Sequence, residues 1–185
     1  MLGLLLALAR LSRWFAGPAT AYVNFFLATP VLMQLLWVYY VLPVLTGIRL
    51  PDLQVLVLTL GLNVTAVMAE NYRAGLQSVD PGQRDAAHVL GLSPLQTLRL
   101  VVLPQAVRVI LPPMGSTTIS LLKDSSLATF IGVNDLLNTG RDVMIRTFHP
   151  IEIFSLVAVV YFILTYPISI GTTVLERRLR VSRRA

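Results

Sequence analysis

Three long stretches of this chain carry no charged side chain, and they limit the folds that it can adopt. They are Phe25–Ile48, Leu53–Ala69 and Ile153–Leu175. A helix of about 20 mostly apolar residues crosses the hydrocarbon core of a bilayer. With 55% hydrophobic and 13% charged residues, the chain departs from the balance of a soluble domain, so a soluble fold around one large core is the weaker alternative. The sequence predicts an all-α integral membrane protein.

Two further apolar segments differ from these stretches. Val109–Leu122 contains two adjacent prolines and a glycine. Because freed backbone groups need partners in lipid, we expect an interrupted, kinked segment that neighbouring helices shield. Met1–Ala9 is too short to span and is interpreted as the end of a first membrane helix that begins earlier, which makes about five in all. A signal peptide is the competing interpretation, but Arg10 follows the apolar run instead of preceding it.

Basic residues are distributed unequally between the two sides that these spans define. One side holds Arg49, Lys123, Arg141 and Arg146. The other holds 11 of the 15 lysines and arginines: Arg10, Arg13, Arg73, Arg84, Arg99, Arg108, Arg177, Arg178, Arg180, Arg183 and Arg184. The excess of positive charge predicts that this second side is the cytoplasm. Residues 1–176 are therefore predicted to form a transmembrane domain, and residues 177–185 a basic cytoplasmic tail next to anionic lipid.

A polar interval that begins at Asp80 predicts two short helices. Each has an N-cap residue, a proline in the first turn and a glutamine three residues after the cap, the pairs being Asp80 with Gln83 and Ser93 with Gln96. Gly91 lies between them, where a helix commonly ends in a left-handed residue. Such a cytoplasmic pair can lie in a groove of a soluble partner and pass its movement to the membrane helices. Alternatively, it lies as an amphipathic loop on the membrane surface.

Residues 80–104 resemble the EAA loop of the permease subunits of type I ATP-binding-cassette importers. The residues that match are Asp85-Ala86-Ala87, Gly91 and Leu103-Pro104, at the spacing of the family's Glu-Ala-Ala, glycine and Leu-Pro positions. Asp85 departs from the family's glutamate by one methylene. Four more segments, Thr29–Leu35, Glu70–Gly75, Leu111–Gly115 and Ile119–Leu127, are similar to the branch that imports polar amino acids such as histidine, glutamine, arginine and opines.

This resemblance implies a non-catalytic subunit in the bacterial inner membrane. A second permease subunit, identical or homologous, would complete the path, an external solute-binding protein would deliver an amino acid, and a separate ATPase would dock on the loop. The residues implied in ATPase coupling are Asp85, Ala86, Ala87, Gly91, Leu103 and Pro104. Lys123, the only lysine, follows Leu122, so the sequence contains no Gly-Lys-Ser/Thr phosphate loop. We expect the chain to bind no cofactor and its partner to use the ATP.

The candidate translocation path lies on the segment that holds the two prolines. Lys123 and Asp124 follow it directly, and charged groups near the bilayer centre tend to face a cavity. A zwitterionic amino acid needs both signs of charge, yet both residues would equally mark the outer membrane surface. Ser116 and Ser120 are further candidates for the path, although polar residues within spans more often join helices.

Glu70 and Arg73 are spaced to pair on one face of a helix, where the span over Leu53–Ala69 leaves the membrane. One interpretation is an ordinary surface pair, which contributes about 0.2–0.5 kcal/mol. The other is that the pair fixes the junction between the span and the first coupling helix.

Several other functions are weaker alternatives. The absence of cysteine and the wide separation of His88 and His149 argue against a metal centre. A membrane-tethered helix-turn-helix regulator has the right spacing, but Leu95–Leu103 offers few side chains to bases or phosphates, so no nucleic-acid partner is predicted. The same architecture importing an opine, a peptide or a sulfur compound stays open.

Overall fold

The structure, a computed structural model, describes residues 2–10, 12 and 14–181. Arg13, Arg183 and Arg184, which enter the charge distribution above, lie outside these residues. The described part of the chain forms eight helices, which we number α1 (Leu2–Ala9), α2 (Ala16–Ala28), α3 (Val31–Thr46), α4 (Asp52–Gln77), α5 (Pro81–Val89), α6 (Pro94–Ile131), α7 (Leu136–Thr147) and α8 (Pro150–Val181). π-helical turns lie within α3 (Trp37–Val41) and α6 (Leu98–Val102), and α6 ends in a 3-10 turn (Ser125–Ile131). The predicted all-α class is confirmed.

Three of these helices, α4, α6 and α8, are long and apolar enough to cross a membrane. Their mean hydropathies are 1.6, 1.2 and 2.2, and only 11% of the apolar stretch of 18 residues in α8 is buried within the chain. A helix with so much exposed apolar surface is stable where lipid covers it. Spans over Leu53–Ala69 and Ile153–Leu175 are thus confirmed. Helix α8 continues to Val181, so the segment predicted as a tail begins within this helix.

The prediction of one continuous membrane helix over Phe25–Ile48 is wrong, because the chain turns sharply at Thr29 and Pro30. Helices α2 and α3 meet there at an angle of 105°, and count at most as one bent span. Proline disfavours a helical conformation in the residue before it, and Thr29 is extended, with φ −106° and ψ 138°. The segment is apolar as predicted, but it forms two helices at a steep angle in place of one straight helix.

Two amide side chains hold this bend, one from the buried Gln34 and one from the partly buried Asn63. Gln34 Nε2 donates to the carbonyl oxygens of Phe26 (3.1 Å) and Thr29 (3.0 Å), which lie at the end of α2. Asn63 Nδ2 in α4 donates to the same Phe26 oxygen (3.2 Å) and to Gln34 Oε1 (3.1 Å). Two carbonyls at the broken helix end therefore find side-chain donors within the chain, which a hydrocarbon environment favours.

Helix α6 corrects two further predictions. The expected second short helix is the first part of one continuous helix, Pro94–Ile131, and the expected interruption at Pro112 and Pro113 is absent from it. Each proline leaves the carbonyl four residues earlier without its usual donor. These carbonyls belong to Arg108 and Val109, which line a polar cavity between α4, α6 and α8. Backbone groups beside such a cavity are not forced into contact with lipid.

Helix α4 lies at the centre of the fold and contacts α1, α2, α3 and α6, while α8 packs against α6 and α7. One apolar cluster joins α3, α4 and the end of α6 around Leu35 and Leu60. Helices α4 and α6 approach each other closely at Gly75, where a Cβ atom would overlap the side chain of Ile110. The two helices that flank the cavity thus touch at a position without a side chain.

Candidate functional site

The connection between α4 and α6 contains the predicted coupling element. Asp80 Oδ1 accepts from the backbone N–H of Gly82 (2.6 Å) and caps α5. Ser93 and Gln96 form the predicted capping box at the start of α6, with Ser93 N–H donating to Gln96 Oε1 (2.8 Å). Gly91 has φ +73°, the left-handed conformation expected of it. These local signals in the sequence therefore place the turn between α5 and α6 correctly.

The three motif residues of α5 face different directions. Asp85 and Ala86 are exposed, whereas Ala87 is only 3% exposed. Val89 and Leu90, at the end of the same helix, are 88% and 78% exposed. A partner that docks on α5 can reach Asp85, Ala86 and this apolar end, while Ala87 packs within the chain. The sequence pattern did not single out Val89 and Leu90, although two adjacent apolar residues before a glycine turn are a visible signal.

Leu103 and Pro104, the last motif residues, lie farther along α6, and both are exposed. Pro104 has no N–H to donate to the carbonyl of Leu100, and the helix has π-type hydrogen bonding over Leu98–Val102, directly before it. The Leu-Pro pair therefore marks a change of helical register in α6.

Side chains connect α5 to both neighbouring helices. Arg84 Nη2 donates to the carbonyl oxygen of Leu76 in the last turn of α4 (2.7 Å). Gln105 Nε2, in α6, donates to Gln83 Oε1 and to the carbonyl oxygen of Val101 (3.0 Å). The element that would meet a partner is thus fastened to two membrane helices.

The cavity between α4, α6 and α8 has a volume of about 960 Å³. Its lining begins at the coupling element and contains nine polar or charged residues and four apolar ones: Asn71, Ser78, Asp80, Gln83, Gln105, Arg108, Val109, Pro112, Pro113, Ser116, Thr117, Glu176 and Leu179. At the end of the cavity farther from the coupling element, Asn71 Nδ2 donates to Thr117 Oγ1 (3.3 Å), and Thr117 Oγ1 donates to the carbonyl of Pro113 (2.9 Å). Amide, hydroxyl, guanidinium and carboxylate groups therefore meet within a bundle of apolar helices.

Of the four predicted path residues, one lines this cavity. Ser116 does, whereas Ser120, Lys123 and Asp124 lie outside its lining, towards the far end of α6. Their predicted role in the path stays a prediction. Among the polar lining residues that sequence reasoning missed are Asn71, Gln105, Arg108 and Glu176. A signal was present for two of them, because positions 105, 108, 112 and 116 are spaced to share one face of a helix.

Glu70 and Arg73 belong to a larger cluster than the sequence indicated. Arg73 donates to both carboxylate oxygens of Glu70 and to Gln77. Arg10 Nη1, which follows α1, also contacts Glu70 Oε2 (2.6 Å), and Arg10 Nε donates to Thr20 Oγ1 in α2 (3.3 Å). The cluster therefore ties three helices together near the end of α4, which is more than a surface pair on one helix does.

Residues 2–10, 12 and 14–181 contain no group of three His, Cys, Asp or Glu side chains arranged to hold a metal ion. The expectation that this chain binds neither a metal nor a cofactor stays a prediction.

A bundle of apolar helices with a polar cavity, which begins at an exposed connection between two spans, is the architecture of a membrane permease. The chain belongs to the family described as the inner membrane component of binding-protein-dependent transport systems, which matches residues 1–181. This confirms the resemblance to importer permeases and a multi-pass membrane protein.

Relatives within this family have known or probable transport roles. The chain is 36% identical over 184 residues to the glutamine transport system permease protein GlnP of Escherichia coli, covering 98% of this chain and 84% of GlnP. It is 37% identical over 191 residues to the L-cystine transport system permease protein TcyL of Bacillus subtilis, covering 97% and 79%. A probable amino-acid ABC transporter permease, y4tG of Sinorhizobium fredii, is 37% identical over 167 residues, covering 89% and 72%.

Solved structures show the same fold. A crystal structure of an amino acid ABC transporter with histidines has 35% sequence identity and a TM-score of 0.89, covering 96% of this chain and 83% of that chain. An inward-facing MetNI methionine ABC transporter, at 23% identity and a TM-score of 0.74, covers 96% and 84%. The second likeness shows the fold alone.

Proposed function

We propose that this chain is the permease subunit of an ATP-driven importer for polar amino acids, and that the cavity between α4, α6 and α8 is part of the translocation path. The observation that carries the proposal is the polar lining of this cavity within an apolar bundle. Polar groups inside a membrane domain are costly and tend to serve a pathway. The lining includes both Arg108 and Glu176, which suits a zwitterionic solute that carries both signs of charge.

A separate ATPase is the proposed partner at α5. The exposed residues Asp85, Ala86, Val89 and Leu90 supply an apolar surface with a charged rim, and such a short helix fits a groove on a soluble domain. We infer that this chain is not itself an enzyme, that ATP is bound and hydrolysed by the partner, and that the chain needs no cofactor of its own.

The remaining partners follow from membership of the family. We propose a second permease subunit, identical or homologous, an extracytoplasmic solute-binding protein, and the lipid of the bacterial inner membrane. The excess of arginine near residues 73–108 and in the C-terminal tail supports a cytoplasmic position for both.

Import of a sulfur compound is the second candidate function, and the similarity to the cystine permease TcyL favours it. A DNA-binding role is disfavoured by the fold. The helix that would read bases is the beginning of α6, a membrane helix of 38 residues, and it cannot enter a groove of DNA as a free recognition helix does.

The test is uptake of radiolabelled glutamine, histidine, arginine and cystine by proteoliposomes that contain the complete transporter. Ser116→Trp places a large side chain in the cavity and is expected to reduce uptake at least tenfold. Thr118→Trp, two residues farther along α6, exposed and outside the lining, is the matched control and should retain most of the activity. No ATP-dependent uptake of any of the four by the wild type, or equal uptake by Ser116→Trp and the wild type, would contradict the proposal.

A further inference from the structure

The side chain of Gln83 is directed away from the role that its position suggests. It lies three residues after the N-cap Asp80, where a glutamine commonly bonds back to the N-cap backbone. Instead, its Oε1 accepts a hydrogen bond from Gln105 Nε2, 22 residues away in the sequence and on another helix. By contrast, Gln96, at the equivalent position of α6, does close its capping box.

This bond lies at the end of the cavity that adjoins the coupling element. Gln83 and Gln105 both belong to the cavity lining, together with Ser78 and Asp80 from the same connection. Thr117, at the other end of the lining, lies 12 residues farther along α6, which is about 18 Å at 1.5 Å per residue. The glutamine pair thus joins α5 to α6 at the point where the polar cavity begins.

Helix α5 has a second attachment, to the end of α4, which is another of the helices that flank the cavity. Arg84 Nη2 donates to the carbonyl oxygen of Leu76, one of the last carbonyls of α4, which has no donor within that helix. Adjacent side chains of α5 therefore hold one wall each, Arg84 holding α4 and Gln83 holding α6. A displacement of α5 acts on both walls through these two bonds.

The segment of α6 that receives the bond is irregular. Gln105 Nε2 also donates to the carbonyl of Val101, within the π-helical turn Leu98–Val102, where the usual helical bonding is replaced. Gln105 therefore joins α5 to a part of α6 that has two helical registers close together. Such a turn allows the helix to change direction more easily than a regular segment.

We propose that Gln83 and Gln105 form a positioning pair that transmits the movement of α5 to α6 and so couples ATP hydrolysis to the opening of the cavity. The proposal rests on the function proposed above, in which a partner ATPase moves α5. Without the pair, the ATPase still turns over, but α6 follows α5 less closely. The quantity that changes is therefore the amount of solute imported per ATP hydrolysed.

The experiment uses the complete transporter in proteoliposomes and measures both [¹⁴C]glutamine import and phosphate release. Gln83→Leu and Gln105→Leu keep the size of the side chain and remove the hydrogen bond. Each is expected to lower the import-to-hydrolysis ratio about threefold to tenfold, the size of effect that one lost hydrogen bond has on an equilibrium. The double leucine variant should be no lower than Gln105→Leu alone, because Gln105→Leu already removes the bond to Gln83 together with the bond to Val101.

Glutamate variants distinguish lost coupling from poor folding. Gln83→Glu keeps an acceptor for the Gln105 amide and should retain the wild-type ratio, whereas Gln83→Glu combined with Gln105→Glu leaves two acceptors and no donor and should lose it. Gln54→Leu, an exposed glutamine at the far end of α4, is the matched control and should leave the ratio unchanged.

Two results would overturn the positioning role while leaving the proposed function intact. One is a wild-type ratio in both leucine variants, and the other is a double leucine variant whose loss equals the product of the two single losses. Failure of the proposed function itself would be recognised separately, because the wild-type transporter would then import none of the four amino acids.

Discussion

Replacing Glu70 with alanine is expected to lower the free energy of unfolding by about 1–2 kcal/mol. Glu70 accepts hydrogen bonds from Arg10 (2.6 Å) and from Arg73, so its removal leaves two cations without their shared acceptor. A hydrogen bond to a charged group contributes about 1.5–3 kcal/mol when well buried. The side chain of Glu70 is 33% exposed, and solvent screening reduces the expected loss to about 1–2 kcal/mol.

The other two members of the cluster provide matched comparisons. Arg10 has 11% of its side chain exposed and joins a different helix to Glu70, so Arg10→Ala should cost nearly as much as Glu70→Ala. Arg73 is 30% exposed and pairs with Glu70 within α4, so Arg73→Ala should cost only about 0.2–0.5 kcal/mol. The order of the three losses follows from which helices each bond joins.

The assay is thermal unfolding of the purified chain in detergent. At about 2–4 °C per kcal/mol for a chain of this size, Glu70→Ala should lower the Tm by about 2–8 °C. A double-mutant cycle between Arg10 and Glu70 should give a coupling energy of about 1 kcal/mol or more. If Glu70→Ala and Arg73→Ala lowered the Tm equally, or the coupling were zero, the cluster would be no more than a surface pair.

Transport by the same variants separates the two interpretations of this residue. If Glu70 fixes the junction between α4 and the coupling element, Glu70→Ala should reduce uptake per assembled transporter by more than its loss of stability accounts for. If the cluster only holds helices together, uptake per assembled transporter should equal that of the wild type.

Two further predictions concern close packing. Gly75→Ala places a Cβ atom within the side chain of Ile110 and should cost about 1–3 kcal/mol of stability. The control is Gly61→Ala on the same helix, where a Cβ atom meets nothing within 4 Å and the change should be neutral or stabilising. Equal Tm values for the two variants would contradict the close approach of α4 and α6. Ala87→Glu buries a charge and should impair folding. Ala86→Glu, one residue earlier and exposed, should leave the Tm unchanged and weaken co-purification of the ATPase. The reverse pattern would show that α5 is oriented differently.

The sequence predicted most of the membrane fold because hydropathy depends on each residue alone. The spans in α4 and α8 and the cap at Ser93 were read from local patterns. The bend at Pro30 was missed because a count of apolar residues does not show where a helix changes direction. The prediction divided α6 into separate segments because it contains two prolines. These prolines are tolerated because they lie beside a polar cavity, which the local sequence does not reveal.

The candidate site was predictable only where its residues are neighbours in the sequence. Ser116 was found through its segment, whereas Asn71 and Glu176 reach the cavity from other helices. Arg10 joined the Glu70 cluster from 60 residues away, and Gln83 was diverted from its capping position by a partner on α6. Each of these assignments depends on which helices pack together, and no periodicity within one segment reveals that.

The amides at the bend imply an order of assembly. Gln34 is synthesised soon after Thr29 and can satisfy the exposed carbonyls of α2 at once. The oxygen of Gln34 receives its own hydrogen bond from Asn63, which the ribosome adds 29 residues later. The hydrogen bonds of Asn63 can form only once α4 is in place, so we expect a substitution at Asn63 to loosen the angle between α2 and α3 without preventing the insertion of these two helices.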